Sequence, residues 1–308
     1  MRFNPFIFKN IHGVVTGMEP TRLTVNGRTD IGQVREENED SIYCHCDEDK
    51  PFAFIVVADG MGGYTGGATA SGIATKTLAE NLDGLLSPNF LSASIAEQQL
   101  LLQATLLAGV KQANREIIDT KQTRPEFSQM GTTLVVAAVW QNFLIVAHVG
   151  DSRAYLWNPY GLQRLTKDHS VVQEMIDAGQ MTSEEAQSSQ VRNHITRALG
   201  IAEPVEACIN SWNLKESALL LLCSDGLTEY ADDHVIERIL ATHRPALDSV
   251  DHFIDFANTD GGRDNISVGI IEFCQRAGAI AEFDGNAITL KPVQKHDLTV
   301  RKNQHSGS

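Results

Sequence analysis

Carboxylates set beside glycines or at the ends of apolar runs recur at Asn38-Glu39-Asp40, Asp59-Gly60-Met61-Gly62-Gly63, Gly150-Asp151-Ser152-Arg153, Ser224-Asp225-Gly226 and Asp264-Asn265. Oxygen donors of this kind suit hard divalent cations such as Mg²⁺ and Mn²⁺, which prefer carboxylates and carbonyls and keep several waters. Two such ions about 3.5–4 Å apart can clamp a phosphate and lower the pKa of a water between them, giving a nucleophile at neutral pH. A single Asp-Gly after a strand is an ordinary tight turn. The repetition of the arrangement is what points to metal-assisted phosphate chemistry.

Positioning these groups falls to short β-rich runs: Ile42 to Cys44, Phe52 to Ala58, Thr133 to Val139, Phe143 to Val149, Ala154 to Trp157, Ala218 to Cys223 and Ile266 to Phe273. They are rich in Val, Ile, Leu and Phe and end in Asp, Gly or Asn, as strands that lead into turns do. Helical periodicity marks Gly67 to Leu85, Leu91 to Thr120, Ser170 to Ala178, Asp232 to Ala241 and Ala246 to Asn258. In the second of these, Ile95, Leu102, Leu106, Val110, Ile117 and Ile118 form an apolar stripe that needs a sheet to cover. Residues of about 170–200 are polar and Ser-rich, with Thr182 and Glu185 spaced as a capping box; they predict a flap inserted between strands.

The bulk numbers restrict the function. Hydrophobic residues at 42% and charged residues at 21% of 308 fit an ordinary globular protein. A formal charge of -14 argues against nonspecific binding to nucleic acid or acidic membranes and is compatible with a cation centre. No apolar run approaches the roughly 18 residues that would cross a bilayer, and the N-terminal segment has no secretory pattern, so a cytoplasmic location is expected. The five cysteines form no CxxC pair and read as reduced thiols. In Cys44-His45-Cys46, strand alternation puts the histidine on the face opposite the two cysteines, which speaks against structural zinc.

In order along the chain stand Gly32-Gln33-Val34-Arg35 with Asn38-Glu39-Asp40, Val57-Ala58-Asp59-Gly60-Met61-Gly62-Gly63, Met130-Gly131-Thr132-Thr133 and His148-Val149-Gly150-Asp151-Ser152-Arg153. Leu165-Thr166-Lys167-Asp168-His169, Ile195-Thr196-Arg197-Ala198-Leu199-Gly200, Cys223-Ser224-Asp225-Gly226-Leu227 and Gly262-Arg263-Asp264-Asn265 follow. From about Leu23 to Phe273 this ordered set resembles the metal-dependent protein Ser/Thr phosphatases of the PP2C (PPM) family, in its bacterial branch. The resemblance implies an α+β fold, a four-layer αββα sandwich of two mainly antiparallel sheets flanked by helices. It implies that Asp59 bridges two Mn²⁺ or Mg²⁺ ions, with the Gly60 carbonyl on one and Asp225 and Asp264 on the other. Glu39 and Asp40 would hold metal-bound waters, and Asp151 would join Asp225 at a third ion. Arg35 would grip the substrate phosphate, a task that favours the planar guanidinium fork.

The implied activity is hydrolysis of phosphoserine and phosphothreonine in proteins by direct attack of a water activated at the dinuclear centre. Arg35, Asp40 and Asp59 are the expected catalytic residues. Phosphorylated proteins, the targets of a Ser/Thr kinase, are the expected partners of a monomeric enzyme. The competing readings are a catalytically silent binding module and a hydrolase of small phosphate esters; every core carboxylate is present, which weighs against the first. Met61 departs from the animal branch, which has histidine there, and methionine cannot donate a proton. That leaves the proton donor open between metal-bound water and a flap histidine. His194, near the position where relatives often carry His-Pro and this chain has Ser189-Gln190, reads as a surface residue; His148, His169 and Arg153 read as structural. The expected organisation is an N-terminal extension over 1–22, a phosphatase domain over 23–275, and a C-terminal extension over 276–308. In that last segment Asp284-Gly285 signals a hairpin before a polar tail.

Overall fold

The computed structural model describes residues 16–17, 22–63, 65–243, 248–275, 279–284 and 287–291. The chain divides into two compact units: Arg22–Cys274, and the terminal segments Met1–Thr21 with Gln275–Ser308. It runs through β1 (Thr16–Gly17), β2 (Arg22–Asp30), β3 (Asp40–Cys46), β4 (Phe52–Met61), α1 (Thr65–Asp83), α2 (Pro88–Ser92) and α3 (Ile95–Thr123). Five strands follow: β5 (Gly131–Thr132), β6 (Leu134–Trp140), β7 (Phe143–Val149), β8 (Arg153–Asn158) and β9 (Gly161–Arg164). The flap then carries α4 (Val171–Asp177) and α5 (Ser183–Gln187). The remainder comprises β10 (Cys208–Asn213), β11 (Ala218–Cys223), α6 (Asp225–Thr228), α7 (Asp233–Thr242), α8 (Ser249–Thr259), β12 (Ile266–Cys274), β13 (Ala279–Asp284) and β14 (Ala287–Lys291).

In the larger unit, one sheet has the order β10-β7-β6-β4-β3, with β5 paired to β4, and the other has β2-β12-β11-β8-β9. Neighbouring strands in both are antiparallel. Side-chain alternation along β4 makes the layering. Phe52, Phe54, Val56 and Ala58 face the core shared with α1 and α3, while Ala53, Ile55 and Val57 face the core between the sheets. In β11, Leu220 and Leu222 join that inter-sheet core, and Leu219, Leu221 and Cys223 pack with α7 and α8. Three apolar layers thus separate four structural ones, the expected αββα sandwich. Central strands buried on both faces read as continuous apolar runs, which is why they were legible.

Two local readings change. The predicted helix from Leu91 to Thr120 is split: α2 starts at Pro88, and α3 starts after Ser94, whose hydroxyl accepts the Glu97 N–H while the Glu97 carboxylate accepts the Ser94 N–H at 2.9 Å. That reciprocal cap begins a new helix inside the stretch predicted as one. Strands β2, β9 and β10 were not predicted, and all three lie at sheet edges, where one exposed side keeps the sequence polar. The capping box of Thr182 and Glu185 is present in the flap.

In the smaller unit, β13 pairs with β1 and with β14, Asp284 standing opposite Ala287. The predicted tail from Lys291 onward lies outside the described residues except for Lys291, which ends β14. Among the described residues no helix is long and apolar enough to cross a membrane.

Candidate metal centre

Asp40 opens β3 directly opposite Asp59 in β4. Like charges directly opposite one another repel, so this register favours a proton or cation near the pair. Asp151 leaves the end of β7 through Gly150 at φ 105°, Asp225 follows β11, and Asp264 enters β12 behind Gly261 and Gly262 at φ 143° and 52°. Strand ends from both sheets therefore deliver the carboxylates to one edge of the sandwich. Gly226 lets two of them approach: a Cβ there would overlap the Asn265 carbonyl oxygen.

A hydrogen-bonded frame fixes these loops. Asn265 Nδ2 donates to the carbonyls of Ile31 and Glu37, both at 3.0 Å, and its Oδ1 accepts the Glu39 N–H at 2.8 Å. Ser224 Oγ donates to Asp40 Oδ2 at 2.7 Å and accepts the Ser267 N–H at 2.9 Å. Thr133 Oγ1 accepts the Asp59 N–H at 3.1 Å and lies 2.7 Å from Ser152 Oγ. The Glu39 carboxylate accepts the Gly67 N–H at 3.1 Å, in the first turn of α1. Arg35, half exposed, donates to Asp264 Oδ2 at 2.7 Å, which brings the expected phosphate-binding residue to the cluster. Thr133, Ser152, Ser224 and Asn265 stand inside the sequence motifs but carry no role in the sequence reading; their adjacency to the motif carboxylates was the available signal.

The electrostatics record the crowding. Burial first, then Asp225 and Asp264, push Asp40 up to about 7, against hydrogen bonds from Ser224 and Ser267. Burial first, then Asp225 and Asp168, push Asp151 up to about 7. Asp59 is held well above the usual carboxylate range by burial and then by Asp40, Asp225 and Asp151, and it shares a hydrogen bond with Asp225. Asp225 is raised by burial and Asp264, and Glu39 chiefly by burial. The raised values record more carboxylate charge than the surrounding side chains balance. An all-oxygen set short of positive charge fits hard divalent ions, whose own charge reverses these shifts.

The remaining predicted residues fall around this centre. Met61 closes β4 and offers no proton. His194 has an exposed side chain, its backbone tied to Val191 and Val171. Arg153 Nε contacts both oxygens of Asp168 at 3.2 Å and its NH2 reaches Oδ2 at 2.8 Å, with Arg164 on the same carboxylate; it braces the turn after Asp151. His45 stacks on Phe54 while Cys44 and Cys46 pack toward the inter-sheet core, the alternation expected of that strand.

A double antiparallel sandwich with carboxylates converging from both sheets defines the class of metal-dependent phosphatases. The chain belongs to the protein phosphatase 2C family, whose model matches residues 32–267. It is 37% identical over 245 residues to the serine/threonine phosphatase stp of Listeria monocytogenes, covering 80% of this chain and 94% of that one. Its fold is similar to the serine/threonine phosphatase PstP/Ppp of Mycobacterium tuberculosis, with TM-score 0.71, 34% identity, and coverage of 81% of this chain and 98% of that one. It is also similar to a PstP catalytic domain in complex with two manganese ions, with TM-score 0.68, 32% identity, and coverage of 82% and 99%.

Proposed function

We propose that Asp59, the Gly60 carbonyl, Asp225 and Asp264 hold two Mn²⁺ or Mg²⁺ ions, with Glu39 and Asp40 beside them and Asp151 joining Asp225 at a third position. The chain is a metal-dependent phosphoprotein phosphatase acting on phosphoserine and phosphothreonine. The carrying observation is the convergence of Asp40, Asp59, Asp151 and Asp225 in one buried cluster, each held above the usual carboxylate range first by burial, with Arg35 at the rim. When bound, the ions neutralise phosphate charge and activate water for direct attack.

The protein's own residues do the rest. Arg35 donates two parallel hydrogen bonds to the substrate phosphate and orients it toward Asp59. Ser224 and Asn265 hold Asp40 and the Glu39 backbone in place, so the acceptor geometry is set before substrate arrives. The flap closes one side: Leu199 pairs with Thr132, which itself pairs with Gly60 in β4. Selectivity among phosphoproteins lies there and in the neighbouring surface, because a phosphate-binding centre treats phosphomonoesters alike. Phosphoproteins made by a cytoplasmic Ser/Thr kinase are the proposed substrates, and the proposed working form is a monomer. The test is Asp225→Asn, assayed with a phosphothreonine peptide and an aryl phosphate in saturating Mn²⁺. Loss of at least about 100-fold in turnover is expected; undiminished hydrolysis of either compound would remove the carboxylate centre from the mechanism.

A further inference from the structure

We infer that His148, His169 and Cys208 form a second metal site, separate from the carboxylate centre, that takes one thiophilic divalent ion such as Zn²⁺. One ring nitrogen of each histidine and the Cys208 sulfur lie within 4.8 Å of one another, the one such group of His, Cys, Asp and Glu found among the described residues. The fold builds this cluster from three separate segments. Cys208 in β10 stands opposite His148 in β7, so the two side chains share the face that also carries Leu144 and Val146. His169 arrives from the loop after β9, held by its N–H on the Gly150 carbonyl at 2.9 Å, and its ring stacks on His148 with centroids 4.7 Å apart.

Hydrogen-bond accounting assigns the donor atoms. His148 Nε2 lies 2.8 Å from the Lys167 carbonyl and must donate to it, which leaves Nδ1 with the lone pair. A ring N–H anchored on a backbone carbonyl is the usual support of a metal-ligating histidine. His169 Nδ1 accepts the Gly150 N–H at 3.1 Å, so its Nε2 carries the hydrogen and points it at Cys208 Sγ, 3.3 Å away. Burial keeps both rings neutral, His169 being pushed down to about 4, so neither must lose a charge to bind. Thiolate and imidazole ligands favour Zn²⁺ over the hard ions of the carboxylate centre. Cys208 is half-buried on an edge strand, which gives an ion a route in.

On metal binding the thiol proton is released, and the His169 proton moves from Nε2 to Nδ1, where it opposes the Gly150 N–H. The ion therefore breaks one of the two hydrogen bonds that join Gly150, the neighbour of Asp151, to His169, leaving the bond between the His169 N–H and the Gly150 carbonyl, and should slow turnover without displacing Mn²⁺.

The experiment titrates Co²⁺, as a spectroscopic stand-in for Zn²⁺, into Mn²⁺-saturated protein. A near-ultraviolet thiolate-to-cobalt band saturating at one equivalent is expected, absent in Cys208→Ser; carboxylate ligands cannot produce it. In the unsubstituted protein, Zn²⁺ should protect Cys208 from iodoacetamide at least tenfold, read by peptide mass spectrometry, which needs no variant to fold. No band, a band that persists in Cys208→Ser, or unprotected alkylation would each overturn the site. Zn²⁺ added at saturating Mn²⁺ should lower turnover severalfold in the unsubstituted protein and spare Cys208→Ser; equal inhibition of both would overturn the link to Asp151.

Discussion

Removal of divalent ions should make Asp40 a pH-dependent burden on the fold. Its carboxyl, 8% exposed, rises from 3.8 to about 7 in the folded protein. An acid whose folded pKa is raised leaves the native state holding more protons than the unfolded one, so stability is lost as pH climbs from 3.8 through about 7. At roughly 1.4 kcal/mol per pH unit, the loss from this one group between about pH 5 and 8 comes to about 2–3 kcal/mol. His148 and His169, whose pKa values are depressed by burial, act in the opposite direction as pH rises toward their ordinary 6.5. The comparison is therefore with Asp40→Asn, in which the histidines cancel and Asp59 loses the push that Asp40 gives it, an effect of the same sign. In EDTA, the melting temperature of Asp40→Asn relative to the unsubstituted protein should gain about 5–10 °C from pH 5 to 8, on about 2–4 °C per kcal/mol for a unit of this size. Differential scanning calorimetry reads it directly. A gap that stays constant or narrows with pH would refute the electrostatic account. Adding Mn²⁺ should close the gap at pH 8, because the ions bind the ionised carboxylates and stabilise only the form that has them.

Gly226→Ala forces a methyl into the Asn265 carbonyl and should weaken Mn²⁺ binding by about 10–100-fold, measured by calorimetric titration, because Asp225 and Asp264 can no longer approach. Arg35→Ala should lower kcat/KM for a phosphopeptide by about 10–100-fold, the equivalent of about 1.5–3 kcal/mol from a charged hydrogen-bonded contact. It should leave Mn²⁺ affinity undiminished, since Asp264 loses only a competing cation. His194→Ala should change neither turnover nor affinity for a phosphopeptide, in keeping with its exposed ring; a shift of its pH–rate profile would instead give it the proton-donor role that Met61 cannot fill.

The sequence was legible where burial is two-sided. Phe143 to Val149 and Ala218 to Cys223 coincide with β7 and β11, because each lies inside a sheet with apolar cores on both faces. At β2, β9 and β10 that signal fails: Arg22–Asp30 carries only Leu23 and Val25 toward the inter-sheet core, and the rest of its pattern is set by solvent and by pairing with β12. Long-range registry has no local sequence signature at such edges. The split of α2 from α3 was not read from the sequence, although Ser94 and Glu97 stand at the spacing of a capping box inside the stretch from Leu91 to Thr120.

By itself, the sequence determined the chemical kind of the protein: recurring strand-end carboxylates in a fixed order, an arginine suited to phosphate, and a methionine where a proton donor could have stood. Only the tertiary structure decided how those groups act on one another. Asp40 faces Asp59 because β3 and β4 pair in that register, and Arg35 meets Asp264 across 229 positions of chain. Cys208 joins His148 and His169 because an edge strand with no clear sequence signal pairs with β7. Charge repulsion, raised pKa and ligand convergence depend on separations of a few ångströms, and folding sets those separations through contacts distant in sequence.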